Sequence, residues 1–137
     1  MALAQNLESI TLEADSSVAV YTGPPGLPGS PSPHYGHQYT FVKVTGANTC
    51  GLAVTKATDR VVGVLQNKPQ ATGDACTVAV HGVSVVQAGD AITAAGPVAF
   101  DTTGRAIPYT GSGDQLVGIA LSTVAAANQL VTVLLKV

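Results

Sequence analysis

Few residues in this chain have the types and spacing that chemistry needs. His34 and His37 stand in HYGH, an H-x-x-H spacing that two metal ligands can use. No cysteine or acidic residue lies near them, and a metal site needs three or four ligands. The pair therefore reads as loop histidines. His81 falls mid-strand in VAVHGV, where a hydrogen-bonded polar residue at a bulge is commoner than a general base. Asp90 and Asp101 are carboxylates of the kind a glycosidase pairs. Each, however, sits at a turn, in AGD and DTTG, where aspartate bonds nearby backbone. VTGANTCG has two glycines but neither the lysine nor the spacing of a phosphate loop, and no G-x-S-x-G occurs. No nucleophile, base and orienting group come together. The chain reads as a non-enzyme, without cofactor or metal site. Cys50 and Cys76 belong to no C-x-x-C motif, and they read as buried free thiols. A disulfide between them is disfavoured in a reducing compartment.

With no chemistry to explain, composition carries more of the reading. A chain of 137 residues is one domain long and able to bury a core. Its apolar fraction of 46% is mostly Val, Ala, Leu and Ile, with no Trp and two Phe, so the core must be fine-grained and aliphatic. Charged residues make up 10%, against roughly 25% in an ordinary soluble domain. Such a chain exposes a large neutral surface, and neutral apolar surface marks interaction sites. An oligomer or a lattice component follows. The net charge of −2, with no basic run, argues against nucleic acid as a partner. No apolar run approaches the roughly 20 residues of a membrane span. MALAQNLESITLEADSS lacks the basic and apolar regions of a signal peptide, so synthesis in a cytoplasm without export by that route is expected.

The positioning elements read as strands. Leu3, Leu7 and Ile10 would fit one helical face. After Ser9, however, Ser, Thr and Val outnumber strong helix formers, which favours extended structure, with a short strand near Val18 to Tyr21. TGPPGLPGSPSP (Thr22–Pro33) follows, with glycine at every third position. Three triplets are too few for a collagen helix. The segment is either a polyproline-II strut or an irregular surface loop. Strand candidates then recur every 8–12 residues, broken by Gly, Pro and Asp: TFVKVTG, GLAVT, VVGVLQN, CTVAVHGVSVVQAGD, two short strands in Ala91–Tyr109, QLVGIALST and QLVTVLLKV. Gly82 marks a kink or bulge in the longest of these. STVAAANQL allows one helical turn, capped by Asn128. The fold class is all-β with at most one short helix, a compact barrel or sandwich. Its parts are an extended N-terminal arm (1–21), a Pro/Gly-rich spacer or loop (22–39) and a β-rich core domain (40–137).

VVGVLQN at Val61–Asn67 echoes LVGIALS at Leu116–Ser122, and each precedes a Val-rich strand. Gly63 and Gly118 stand third, where a missing side chain lets backbones approach closely. The echo reads as a duplicated strand pair within one barrel. The stretch from Ala106 to Leu135 has Asp114 as its single acidic residue and no lysine or arginine, so its strands are expected to be buried on both faces, or on one face plus a subunit interface.

GVLQN at Gly63–Asn67, AGDAI at Ala88–Ile92, DTTGRA at Asp101–Ala106, GIAL at Gly118–Leu121 and VTVLL at Val131–Leu135, in that order and spacing, resemble the capsid-decoration (head-stabilising) proteins of tailed bacteriophages. The resemblance covers roughly Val61 to Leu135. It departs at Asn128-Gln129, where the family tends to carry Gly-Glu. It implies a homotrimer without catalytic activity, bound to the major capsid protein at three-fold and quasi-three-fold junctions on the outside of an expanded capsid. It also implies an N-terminal arm that adds a strand or strap to the shell. Leu7, Ile10, Leu12, Val18, Val20 and Tyr21 are the arm residues expected to touch capsid. Two other classes are weighed against it. A tail-tube or spike subunit would form rings or fibres. A carbohydrate-binding β-domain would need exposed aromatics, for which only Tyr35 and Tyr39 are clustered.

Overall fold

Alternation with a period of two decides which side of each strand is buried, and in this chain it builds two cores. In the computed structural model the described residues are 7–18, 37–111 and 113–136. They form ten strands: β1 (Glu8–Ala14), β2 (Phe41–Gly46), β3 (Thr49–Leu52), β4 (Val61–Leu65), β5 (Ala75–His81), β6 (Val83–Gln87), β7 (Pro97–Phe100), β8 (Ala106–Pro108), β9 (Gly118–Ala120) and β10 (Leu130–Leu135). Strands β1-β3-β2-β4-β5 close into a barrel, and β6-β10-β9-β7-β8 form a second, five-stranded sheet. A bridge between Ala88 and Ala106, with the Gly89 N–H donating to the Ala106 carbonyl at 2.7 Å, draws the two ends of that second sheet together.

The barrel interior holds Leu12, Ala14, Val18, Val42, Cys50, Leu52, Leu65, Cys76 and Val78. The opposite faces of the same strands supply Phe41, Val64 and Ala79 to a larger core shared with Val86, Val98, Phe100, Val117, Val131 and Val133 of the second sheet. Phe41 and Phe100, the only two phenylalanines, are both fully buried in this shared core. Truncating either to alanine is worth about 3–5 kcal/mol.

Gly82 divides the longest Val-rich run. Its φ of 106°, a value that favours glycine, turns the chain out of the barrel as β5 and into the second sheet as β6. A polar seam then ties the two bodies. Gln66 Nε2 donates to Ser84 Oγ at 2.9 Å, Gln87 Nε2 to the Gln38 carbonyl at 2.6 Å, and the Phe41 N–H to the Gly104 carbonyl at 2.7 Å.

Three expectations change here. First, the two echoed strand pairs occupy different sheets: β4–β5 lies in the barrel and β9–β10 in the second sheet. Both glycines do sit against the partner strand. A Cβ on Gly63 would lie 2.1 Å from the Ala79 carbonyl oxygen, and one on Gly118 would lie 2.4 Å from Val133 Cγ1. Second, no helix occurs among the described residues. In STVAAANQL the bridge from Val124 to Ile92 pulls the chain extended, and Asn128 takes a left-handed φ of 68° to turn it. Third, residues 8–14 of the expected arm are a strand of the barrel. Leu12 and Ala14 alternate into its core, and β1 joins β3 to β5. Residues 19–36, which include the Pro/Gly segment, Val20, Tyr21 and His34, lie outside the described residues.

Candidate functional site

The residues first examined for chemistry are occupied in holding turns. The Ala91 N–H donates to Asp90 Oδ1 at 2.8 Å. Asp101 Oδ1 accepts from the Thr103 and Arg105 N–H groups at 2.8 and 2.9 Å, and the Arg105 Nε donates to Oδ2 at 3.1 Å. Each carboxylate holds its own turn. His81 is exposed at the end of β5, opposite Glu8. Burial lowers the pKa of His37 below its ordinary value, which keeps the imidazole neutral.

Cys50 and Cys76 are unbonded and buried inside the barrel. Burial, with the Cys76 thiol beside it, pushes the Cys50 pKa up to about 12, and burial raises Cys76 as well. Thiols held this far from the thiolate are poor nucleophiles and poor ligands. Among the described residues no three His, Cys, Asp or Glu side chains converge as a metal site.

One groove of about 500 Å³ runs beside the barrel, lined by Lys43, Val44, Thr45, Thr58, Asp59, Arg60 and Val62. Its lysine and its carboxylate are committed to each other at 2.8 Å. Asp59 Oδ2 also accepts the Val54 and Thr55 N–H groups at 2.9 and 2.8 Å. Desolvation is the largest single influence on Asp59 and acts upward. The Lys43 bond and the two N–H donors together outweigh it and hold the carboxyl below its ordinary value. This is a clamp on the β3–β4 loop.

What remains is surface built for contact, and β1 carries the clearest piece. Glu8, Ser9, Ile10 and Thr11 are all exposed, so the first half of β1 rises above the barrel wall, paired only to β5. Its other edge meets β3 only at Glu13 and Ala14, so Glu8–Leu12 has no strand beside it there among the described residues. Unpaired strand edges are templates for a further strand.

The base of this ribbon is fixed. The Ser17 N–H and hydroxyl both donate to Asp15 Oδ1, at 2.8 and 2.6 Å, while Ser17 Oγ accepts the Leu52 N–H at 2.8 Å. A Cβ on Gly51 would lie 2.3 Å from Asp15 Oδ2, so the turn packs directly on β3.

Of the expected docking residues, Leu7 and Ile10 are on the surface, 40% and 43% exposed. Leu12 and Val18 instead fill the barrel core, at 9% and 0%: alternation along β1 turns Leu12 inward, and the turn after β1 brings Val18 in. Val20 and Tyr21 lie outside the described residues. Sequence reading missed the open edge, for which the loss of alternation at Ser9, Ile10 and Thr11 was the available signal.

A second exposed region is the outer face of β6, β10, β9 and β7. There Val83, Val85, Ile119 and Leu134 are half-buried and Leu121 is 46% exposed.

No curated protein matches the chain. Among solved structures it is similar to the N base of the head fiber gp8.5 of bacteriophage phi29, with a TM-score of 0.61 and 20% identity, covering 96% of this chain and 95% of that one. The family model described as phage cement protein matches residues 36–137. The chain therefore belongs to the phage cement protein family and is a capsid decoration protein of the virion's outer surface.

Proposed function

We propose that the protein clamps the outside of a matured phage capsid as a homotrimer, seated on the major capsid protein at three-fold and quasi-three-fold junctions. The β1 ribbon is its lattice contact. The observation that carries this reading is membership of the cement family by a chain whose barrel ends in an open, exposed strand edge. The edge at Glu8–Leu12 docks on the shell, where backbone hydrogen bonds supply affinity and Leu7 and Ile10 supply apolar anchors. The buried thiols and the turn-bound carboxylates support a role without turnover. Contacts that are weak singly add by avidity when three copies engage one junction.

Mixing the purified protein with expanded and with immature empty shells, followed by sedimentation, tests the proposal. Binding to expanded shells alone, saturating at one trimer per junction, is the expected result. A protein that pellets with neither shell refutes it.

A further inference from the structure

The outer face of the second sheet has a pattern that the barrel does not share. Alternation puts Val83 and Val85 of β6, Thr132 and Leu134 of β10, Ile119 of β9 and Pro97 of β7 on the side away from the shared core. Register then lines four of them up across four strands: Val83 opposite Leu134, Leu134 opposite Ile119, and Ile119 opposite Pro97. Beside this row, Val85 pairs with Thr132, and the Leu121 N–H donates to the Thr132 carbonyl at 2.7 Å. Each of these side chains keeps part of its surface open, and Pro97 is exposed. No Asp, Glu, Lys or Arg occurs from Gln115 to Leu135.

We infer that this face is where copies of the chain meet, the outer sheet of one packing on the outer sheet of the next. The inference rests on the trimeric reading above and gives it an interface. Three observations favour a second copy over the capsid as the occupant. The face has no charge with which to select or reject a foreign partner, so it requires a surface equally neutral and flat. The same face on a sister chain meets that requirement, and three-fold symmetry turns this face of every copy toward one axis, where one side of it meets the other side of its neighbour's. An apolar face also needs covering from the moment of synthesis, when sister chains are present and a matured shell is not. Finally, β1 is a strand of the barrel and supplies none of the residues of this row, so its ribbon is separate from the face. Copies joined through the sheet leave the ribbon free for the lattice.

The test uses the full chain with Leu121→Lys and, separately, Ile119→Lys, with mass read by light scattering and folding by circular dichroism. Leu121 is exposed enough to accept lysine in a folded chain, so it carries the test even if Ile119→Lys does not fold. Wild type is expected at a multiple of 13.7 kDa, Leu121→Lys at 13.7 kDa, and the β1 control Ile10→Lys at the wild-type mass. An oligomer that survives Leu121→Lys overturns the inference. So does a monomeric wild type, whether its face proves to be covered by capsid protein or by residues 19–36. Shell sedimentation is scored separately. A Leu121→Lys oligomer that still binds expanded shells overturns this interface and leaves the decoration reading standing.

Discussion

Replacing Gly63 by alanine tests the packing logic of the barrel at a single atom. Gly63 lies on β4 against β5. An added Cβ would sit 2.1 Å from the Ala79 carbonyl oxygen, 2.9 Å from its carbon and 2.8 Å from Val78 Cγ1. The nearest obstacle is backbone, which no rotamer change removes. Ala79 is held on both sides, paired to Val64 on β4 and to Ser9 on β1. Reaching ordinary contact distance requires β4 and β5 to separate by about 1.4 Å, judged against normal packing separations. Overpacking of this kind costs about 1–3 kcal/mol. Stretching the adjacent ladder bonds adds about 0.5–1.5 kcal/mol. Loss of glycine's freedom in the unfolded chain offsets about 0.4–1 kcal/mol. The net is about 0.5–4 kcal/mol, centred near 2 kcal/mol. For 137 residues the entropy of unfolding is about 0.29 kcal/mol/K, so the melting temperature should fall by about 2–14 °C, centred near 8 °C. The assay is thermal unfolding followed by circular dichroism at one fixed protein concentration. Gly73→Ala is the control, since nothing lies within 4 Å of its Cβ and only a φ of 92° opposes it. That control should cost about 1–2 kcal/mol. A Gly63→Ala protein that melts within 2 °C of wild type would refute the close-approach argument.

Two further outcomes follow from the ionisable groups. Asp59 is held below its ordinary value as described. Asp114 is held down first by the Thr110 N–H and then by Lys56. A depressed carboxyl contributes stability above its unfolded-state value near 3.8 and loses it as pH falls through the folded value. Melting temperature should therefore be flat from pH 7 to 5 and fall below pH 4, and Asp59→Asn with Asp114→Asn should flatten that fall. An unchanged acid slope in the double variant would count against it. With Cys50 and Cys76 buried and their pKa values raised, an aromatic disulfide reagent at pH 8 should titrate no thiol in the native protein and two in guanidinium. Rapid native labelling would show that the barrel opens readily.

The amino-acid sequence by itself determined the strands and their punctuation. Val-rich runs separated by Gly, Pro and Asp reappear as β2 to β10, and the break at Gly82 falls between β5 and β6. It also determined that the aspartates serve turns and that Gly63 and Gly118 permit close approach, because each of these depends on local chemistry. Pairing is different. Period-two alternation says which residues share a face but not which strand lies alongside. That is settled by contacts between residues far apart in the chain, such as Leu12 with Cys76 and Phe41 with Val64. Only the tertiary structure therefore turned part of the expected arm into β1. It divided the echoed strand pairs between two sheets and put Leu12 and Val18 in the core while leaving Leu7 and Ile10 outside. The open edge of β1 and the neutral row Val83–Leu134–Ile119–Pro97 exist only once register is set, because each is a property of neighbouring strands and not of any one segment.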